Sequence, residues 1–205
     1  VGLTIGLNKE QIETSIASLN SVEGRMTRVD AGQDFDVIVD YAHTPESFEK
    51  LFKEIRPLTK GKLIAVFGSA GRRDETKRAT QGEIAGNFCD IVIATEEDDR
   101  DIDGIEILNQ IAEGALKAGK VKDKDLLLIH KREEAVAKAI ALAQTGDVIM
   151  LLGKGHEKSI LTNGPQAAEL RKELQNDDDP RRVIKRPYDE VAVSKQFLIA
   201  KLSKN

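Results

Sequence analysis

Short apolar segments alternate with amphipathic segments along most of the chain. The apolar segments are rich in β-branched residues, which is typical of strands buried on both faces of a sheet. They span Phe35–Ala42, Lys62–Ala70, Asp90–Glu97, Asp125–Lys131 and Asp147–Gly155. Helical periodicity covers the intervening Pro45–Arg56, Thr76–Phe88, Gly104–Leu116 and Glu133–Ala143. This alternation predicts an α/β, Rossmann-like fold: a doubly wound, mostly parallel sheet with helices on both faces.

Both ends of the chain depart from this alternation. Asn8–Val22 has apolar residues at helical spacing behind Asn8 as a cap, which predicts a helix. Its apolar face consists of Ile12, Ile16 and Leu19. Beyond Gly155 the pattern weakens into a polar stretch that includes Asp177–Asp179, and we expect this stretch to be partly irregular. The last pattern, Asp189–Leu202, predicts a closing helix.

The composition narrows the range of partners and compartments. The 205 residues include 31 Lys and Arg against 35 Asp and Glu, with no basic block, so a nucleic-acid surface is not expected. The single cysteine, Cys89, excludes an internal disulfide. No signal peptide or long apolar span is present, so we expect a cytoplasmic protein. The chain begins with Val1 instead of Met, which suggests an excised piece of a longer protein.

The first predicted strand ends in a polar segment, Asp40–Pro45, with the sequence DYAHTP. In doubly wound folds, ligands bind beyond the carboxyl ends of the strands. Thr44 suits the N-cap of the following helix, and Pro45 suits its first turn. Asp40 and His43 either contact a ligand or form a local turn network, and the sequence leaves both interpretations open.

The second predicted strand is followed by small residues and a basic cluster, Gly68–Arg78. Basic side chains at a helix N-terminus favour anion binding, because backbone N–H groups and the helix dipole act in the same direction. A solvated basic first turn is the alternative. The basic residues are Arg72, Arg73, Lys77 and Arg78.

Two further strand ends carry acidic or glycine-rich segments. Thr95–Asp101 reads TEEDDRD, and on composition alone a solvated acidic loop is the favoured interpretation. Gly153–Glu157 reads GKGHE, whose glycines permit close approach of the backbone to a ligand. His156 and Glu157 could equally cap a turn.

Several catalytic motifs are missing from the sequence. It contains no G-x-x-x-x-G-K-[ST] phosphate-binding loop, no Cys/His cluster with zinc spacing and no G-x-S-x-G elbow. We therefore expect neither independent ATP hydrolysis nor a metal site in this chain.

Four motifs in fixed order resemble the C-terminal domain of the Mur ligases, and within that family the MurE group. They are GRM at Gly24–Met26, DYAHTP at Asp40–Pro45, G-x-x-GRRDxxKR at Gly68–Arg78 and GKGHE at Gly153–Glu157. The resemblance implies that residues 23–205 form this domain and that residues 1–22 are a linker or helix from a preceding ATPase domain. A UDP-binding domain and the central domain with its P-loop would then lie upstream of Val1.

The chemistry of the family is an ATP-dependent ligation in peptidoglycan biosynthesis, and hence in cell-wall biogenesis, cell shape and cell division. ATP phosphorylates a substrate carboxylate, and an incoming amine attacks the acyl phosphate to give an amide. For the MurE group the substrates would be UDP-N-acetylmuramoyl-L-alanyl-D-glutamate and an amino acid. ATP and Mg²⁺ would be bound mainly by the central domain, while the C-terminal domain closes as a lid, completes the ATP site and presents the amino acid. This chain alone would be inactive and would contain no catalytic residue.

The resemblance also implies roles for individual residues. The residues matching the ATP site are Arg25, Asp40 and His43. Arg25 and Asp40 would lie at a strand end or linker, outside the core. The residues matching the amino-acid pocket are Arg73, Glu97, Asp98, Arg100, Gly153 and Glu157.

One departure from the family pattern concerns the choice of amino acid. Enzymes for meso-diaminopimelate typically carry Asp-Asn-Pro-Arg where this chain has EDDR, Glu97–Arg100. L-lysine ends in an ammonium alone, which would prefer the acids Glu97, Asp98 and Glu157, so the added negative charge favours L-lysine. The retained Arg100 instead suits the extra carboxylate of meso-diaminopimelate. A stand-alone nucleotide- or amino-acid-binding module, another Mur step and a folylpolyglutamate-type ligase stay open as alternatives.

Overall fold

The computed structural model of the protein describes residues 2–18, 22–173 and 183–203. Within them a six-stranded sheet has the spatial order β1-β2-β6-β3-β4-β5, in which β1 is antiparallel and the other neighbouring strands are parallel. The strands are β1 (Thr27–Arg28), β2 (Asp36–Asp40), β3 (Leu63–Phe67), β4 (Ile91–Ala94), β5 (Leu126–Leu128) and β6 (Val148–Leu152).

Helices cover both faces of this sheet, and a second, two-stranded antiparallel sheet follows it in the chain. The helices are α1 (Lys9–Ser18), α2 (Pro45–Ile55), α3 (Thr76–Phe88), α4 (Gly104–Lys117), α5 (Arg132–Leu142), α6 (Ala168–Glu173) and α7 (Glu190–Leu202). Single 3₁₀ turns lie at Leu3–Ile5, Arg56–Leu58 and Pro165–Ala167. The small sheet pairs β7 (Ser159–Thr162) with β8 (Ile184–Pro187). None of these helices is long and apolar enough to cross a membrane.

The core consists of two layers, one on each face of the sheet. Helices α2, α3 and α4 pack with Leu63, Ala65 and Phe67 on one face, and α5 and α7 pack with Ile64 and Val66 on the other. The alternation follows from the strand geometry, because successive side chains point to opposite faces. All five residues of β3 are buried, as are all residues of β4 and β6. The predicted doubly wound fold is confirmed.

The five predicted strands are present with shorter bounds, and the four helices between them are present with bounds that differ by at most one residue at either end. Three strands were not predicted: β1 has only two residues, and β7 and β8 lie in the stretch expected to be partly irregular. The predicted N-terminal helix is shorter and contains no buried residue, with Ile16 exposed, so its apolar face does not pack on the core. Val1, Leu19 and Asp177–Asp179 lie outside the described residues.

Four neighbouring strands end at the same edge of the sheet. In the register, Asp40 is opposite Leu152, Leu151 is opposite Val66, and Phe67 is opposite Ala94. The loops that follow β2, β6, β3 and β4 therefore emerge side by side. These are the four polar segments that the sequence placed at strand ends, and the sheet order brings them together.

Helix α2 begins where the sequence predicts. Thr44 is its N-cap, with Oγ1 accepting a hydrogen bond from Ser47 N–H while Ser47 Oγ accepts one from Thr44 N–H, and Pro45 occupies the first turn. Phe48 and Phe52 anchor the helix, since the ring of Phe48 packs edge-to-face on both Phe52 and Phe67. The cap fixes the direction in which the loop after β2 faces the site.

Candidate functional site

A cavity of about 730 Å³ lies at the carboxyl ends of β2, β3, β4 and β6. All six residues predicted for the amino-acid pocket line it, as does His43, and neither Arg25 nor Asp40 does. The ionisable residues that line it are Tyr41, His43, Glu46, Arg73, Asp74, Lys77, Glu97, Asp98, Arg100 and Glu157. The structure therefore places the predicted amino-acid residues in one cavity, while their role in binding stays a prediction.

The acidic segment after β4 is not a solvated loop, contrary to what composition alone favours. Thr95, Glu96, Glu97 and Asp99 are all buried. Their side chains separate into two groups: Glu97 lines the cavity, whereas Glu96 and Asp99 contact Arg186 and His130 on the other side of the segment. Composition could not show this separation, because it depends on which loop covers the segment.

Glu97 presents an unpaired carboxylate to the cavity. The residue is 9% exposed and accepts no hydrogen bond from any described residue. Burial raises its pKa, and the charges of Arg132, Lys77 and Lys154 act in the opposite direction. A buried carboxylate without a hydrogen-bond donor is energetically unfavourable, and a cationic ligand would relieve this cost.

Lys154, which the sequence reasoning did not select, is fully buried beside the cavity. Its Nζ donates hydrogen bonds to Asp98 Oδ1 at 2.9 Å and to Glu157 Oε2 at 2.6 Å. Two of the three acids predicted to attract a substrate ammonium are thus already paired within the protein. The signal in the sequence was the position of this lysine inside GKGHE, between two glycines at a strand end.

Only part of the predicted basic cluster faces the cavity. Arg73 lines it and makes no hydrogen bond or ion pair with any described residue, and Lys77 lines it while donating from Nζ to the carbonyl of His43. Arg72 instead pairs with Asp101. Arg78 is buried and donates to Gln110 and to a backbone carbonyl. The predicted anion site is therefore reduced to Arg73 and Lys77, since the other two arginines serve local structure.

Arg100 joins two loops as well as lining the cavity. Its Nη1 donates to the carbonyl of Gly71 at 2.6 Å, and Gly71 N–H donates to the carbonyl of Asp98. Arg100 has a positive φ of 55°, an unusual conformation for a residue with a side chain. Its Nε and Nη2 make no hydrogen bond with the described residues, so part of the guanidinium is free to bind an anion.

An aromatic and cationic cluster lies at the end of β2. The Arg25 guanidinium is 4.9 Å from the ring centroid of Tyr41, which also packs against His43 and His156. Tyr41 Oη donates to Glu157 Oε1 at 3.3 Å, and burial together with Glu157 raises the pKa of Tyr41. The tyrosine thus connects the surface that bears Arg25 to the wall of the cavity.

Asp40 is the last residue of β2, at a strand end as expected, and it is buried. Its Oδ2 accepts a hydrogen bond from Met26 N–H, and its Oδ1 accepts one from Ala42 N–H. His43 Nδ1 likewise contacts the carbonyl of Tyr41 at 2.8 Å. A local turn network therefore exists, and Asp40 ties the loop that contains Arg25 to the end of β2.

Behind the cavity, Glu96, Asp99 and His130 place three potential ligand atoms within 4.8 Å of one another. His130 Nε2 is 2.6 Å from Asp99 Oδ2, and Arg186 Nη2 donates to Glu96 Oε1 at 2.6 Å. The positive charge of Arg186 opposes a cation at this place. In this structure the three groups form a network of ion pairs and hydrogen bonds, which the sequence reasoning did not identify.

Comparisons with known proteins place this geometry in a family. The family model described as "Mur ligase, glutamate ligase domain" matches residues 24–155, well over half of the chain. The chain belongs to the Mur ligase family. The match to this Mur ligase domain includes every predicted site residue except Glu157, which lies two positions beyond it, and the resemblance drawn from the four motifs is confirmed.

Two curated proteins are similar in sequence to this Mur ligase domain. A protein of Roseiflexus sp. (strain RS-1) named UDP-N-acetylmuramyl-tripeptide synthetase is 51% identical over 82% of this chain and 34% of its own length. A Clostridium acetobutylicum protein named UDP-N-acetylmuramoyl-L-alanyl-D-glutamate--2,6-diaminopimelate ligase 1 is 41% identical over 76% of this chain and 31% of its own. The chain spans about a third of the length of the curated relatives it matches.

A solved structure supports the same assignment for this Mur ligase domain. The structure titled as a UDP-N-acetylmuramoyl-L-alanyl-D-glutamate--2,6-diaminopimelate ligase superposes with a TM-score of 0.72 and 26% identity. The superposition covers 98% of this chain and 36% of that one. The small sheet of β7 and β8 and helix α7 lie beyond the residues that the family model matches, yet this superposition extends over nearly the whole chain.

Proposed function

We propose that this chain is the C-terminal domain of an ATP-dependent ligase that joins an amino acid to UDP-N-acetylmuramoyl-L-alanyl-D-glutamate, and that the cavity binds the incoming amino acid. The observation that carries the proposal is the pairing of opposite free charges in one cavity. Glu97 offers an unpaired carboxylate and Arg73 an unpaired guanidinium, and both face the same space. An amino acid with a side-chain ammonium has the complementary charges.

Each free charge has a partner on the ligand. The Arg73 guanidinium suits the α-carboxylate, which it can bind in bidentate fashion. Glu97 suits the side-chain ammonium, because a desolvated carboxylate gains most from a charged donor. This arrangement favours L-lysine. Arg100 Nη1 already donates to the carbonyl of Gly71, which leaves fewer donors for the second carboxylate of meso-diaminopimelate.

Meso-diaminopimelate is the second candidate. Arg100 lines the cavity, and its Nε and Nη2, which make no hydrogen bond with the described residues, would donate to a second carboxylate. Relatives named as 2,6-diaminopimelate ligases support this candidate as well.

The contribution to the ATP site rests on the cluster at the end of β2. Arg25 is exposed and held over Tyr41, so its guanidinium is available to a phosphate group, and His43 is half-buried beside it. Asp40 would act through the loop that it fixes, because both its carboxylate oxygens accept backbone hydrogen bonds. ATP with Mg²⁺, bound mainly by the preceding domain, would supply the activation of the substrate carboxylate.

The test uses the full-length protein encoded by the gene. Amide formation from UDP-N-acetylmuramoyl-L-alanyl-D-glutamate and ATP is measured with L-lysine and with meso-diaminopimelate. The Glu97→Gln variant should raise KM for the amino acid about tenfold or more and leave KM for ATP little changed, because a charged partner is lost. Glu83→Gln, which removes a partly exposed acid that pairs with Lys117, is the matched control.

The same assay separates the alternatives. Absence of amide product with either amino acid would contradict the proposal. Ligand binding without turnover by the full-length protein would favour a stand-alone binding module, and activity with a folate substrate would favour a folylpolyglutamate-type ligase.

A further inference from the structure

Lys154 occupies an unusual place for a lysine. Its side chain is 0% exposed, at the carboxyl end of β6. A buried ammonium is costly unless it is paired and hydrogen-bonded, and here Asp98 and Glu157 provide two charged acceptors. The three groups come from the loops after β4 and β6, so the ammonium bridges two of the four loops that form the cavity.

Each of the two acids also accepts a hydrogen bond from a second protein donor. Asp98 Oδ1 also accepts a hydrogen bond from Leu161 N–H at 2.9 Å. Glu157 Oε1 accepts one from Tyr41 Oη. Both oxygens of Glu157 are therefore bonded, whereas Asp98 Oδ2 accepts no hydrogen bond from the described residues.

The residues that precede Asp98 and Lys154 in the chain also contact each other. Glu97 precedes Asp98, and Gly153 precedes Lys154. The Glu97 carboxylate lies against Gly153, since a β-carbon built on the glycine would be 2.7 Å from Glu97 Oε2. The bridge between Lys154 and Asp98 therefore fixes the position of Glu97 relative to the backbone after β6.

We propose that Lys154 is a positioning residue for amino-acid selection: its buried ammonium pairs with Asp98 and Glu157, which weakens their attraction for a ligand cation, and holds Glu97 in place as a buried, open carboxylate. This inference rests on the proposed function and goes beyond it, because it assigns the choice of side-chain charge to an internal cation. Without Lys154, two further carboxylates would lose their counter-ion beside Glu97 and would compete with it for the ligand.

The first test replaces Lys154 by methionine in the full-length ligase, which keeps the length of the side chain and removes its charge. KM for the amino acid should rise about tenfold or more, while kcat and KM for ATP change by less than about threefold. Lys201→Met is the matched control, because Lys201 Nζ also donates two hydrogen bonds, to the carbonyls of Ile140 and Ala143, away from the cavity.

The second test distinguishes positioning from a general loss of structure. Lys154→Arg keeps the positive charge, so its KM for the amino acid should stay close to the wild-type value. The double variant Asp98→Asn/Lys154→Met removes one of the abandoned charges and should recover at least threefold in KM relative to Lys154→Met, with all variants checked by thermal melting. If Lys154→Met fails to fold, Lys154→Arg decides, because a folded Lys154→Arg whose KM for the amino acid rises about tenfold would overturn the charge-based role.

The outcomes separate this inference from the proposed function. Wild-type protein that forms no amide with any diamino acid overturns the proposed function itself. An active wild type with an unchanged KM in Lys154→Met overturns the positioning role alone. A double variant that is no better than Lys154→Met, or worse, shows instead that Asp98 binds the amino acid directly.

Discussion

The carboxylate of Glu97 lies against the backbone of Gly153, so that a β-carbon at position 153 would be only 2.7 Å from Glu97 Oε2. Gly153 also has a φ of +100°, in the region that favours glycine. Glycine is therefore required here for two separate reasons: the backbone conformation and the contact with an acid that lines the cavity.

Replacing Gly153 by alanine should destabilise the protein by about 1–3 kcal/mol, because it adds a steric conflict to the backbone strain. The free energy of unfolding in urea measures this change. Gly119→Ala is the control, since Gly119 has a similar φ of +89° and nothing within 4 Å of its would-be β-carbon. Equal losses in the two variants would show that the contact with Glu97 contributes nothing.

The glycines of GKGHE show a limit of prediction from sequence. Their presence predicted close approach of the backbone to a ligand, whereas Gly153 approaches Glu97 and Gly155 approaches Tyr41 of the protein itself. Glycine reports that something lies close to the backbone and does not identify it. The identity of the neighbour depends on sheet order, which places β6 between β2 and β3.

The buried pair of Arg132 and Glu190 gives a second prediction. Both side chains are 0% exposed, and Arg132 also donates to the carbonyls of Glu96 and Leu152, at the ends of two strands that border the site. Glu190→Gln leaves the guanidinium without its counter-ion and should cost about 3–5 kcal/mol of unfolding free energy.

A control and a compensating variant accompany that measurement. Glu49→Gln breaks an exposed pair with Lys53 and should cost less than about 0.5 kcal/mol. The double variant Arg132→Met/Glu190→Leu removes both charges and should be more stable than Glu190→Gln. A double variant that is less stable would mean that the bonds from Arg132 to the two carbonyls matter more than the charge pair.

The strands were predictable because burial on both faces leaves a strong local signal, as in the all-apolar Leu63–Phe67. The pairing of β7 with β8 was not predictable from the sequence, because its partners Thr162 and Ile184 are separated by more than twenty residues of polar sequence. Helix α1 shows the opposite error. Its periodicity predicted a helix correctly, but periodicity alone does not show what a helix packs against, and Ile16 is exposed.

The contact between His130 and Asp99 predicts a dependence of stability on pH. Burial lowers the pKa of His130, whereas the hydrogen bond and charge of Asp99 raise it, and the net result lies above the ordinary value of 6.5. Protonated His130 therefore stabilises the folded state fully below about pH 6.5, and this stabilisation is lost as pH rises through the higher folded-state pKa.

Asp99→Asn should reduce that pH dependence. The advantage of the wild type over Asp99→Asn, measured as unfolding free energy in urea at pH 6 and pH 8, should be larger at pH 6. Glu96 and Arg186 also face the imidazole and are unchanged in the variant. His156→Gln, which replaces an exposed histidine, is the control, and an advantage that grows towards pH 8 would contradict the assignment.

The cavity itself was largely predictable, whereas its internal pairing was not. The family motifs identified Glu97, Asp98 and Glu157 as acids of one pocket, and the structure brings them together. Counting these acids treated them as equivalent, and only the structure shows that two of them share one buried cation, Lys154. The choice between L-lysine and meso-diaminopimelate therefore depends on which charges stay free.

The last prediction concerns the different effects on stability of replacing Asp40 and Arg25, to which the family resemblance gave the same role. Asp40 is buried and accepts hydrogen bonds from Met26 N–H and Ala42 N–H, so Asp40→Ala should cost about 1–3 kcal/mol by leaving buried donors unpaired. Arg25 is exposed over Tyr41, so Arg25→Ala should cost at most about 1 kcal/mol. Urea unfolding of each variant gives these values, and ADP release by the full-length ligase should fall in both. Equal stability of the two variants would show that the carboxylate does not hold the loop, and normal ADP release by Arg25→Ala would remove Arg25 from the ATP site.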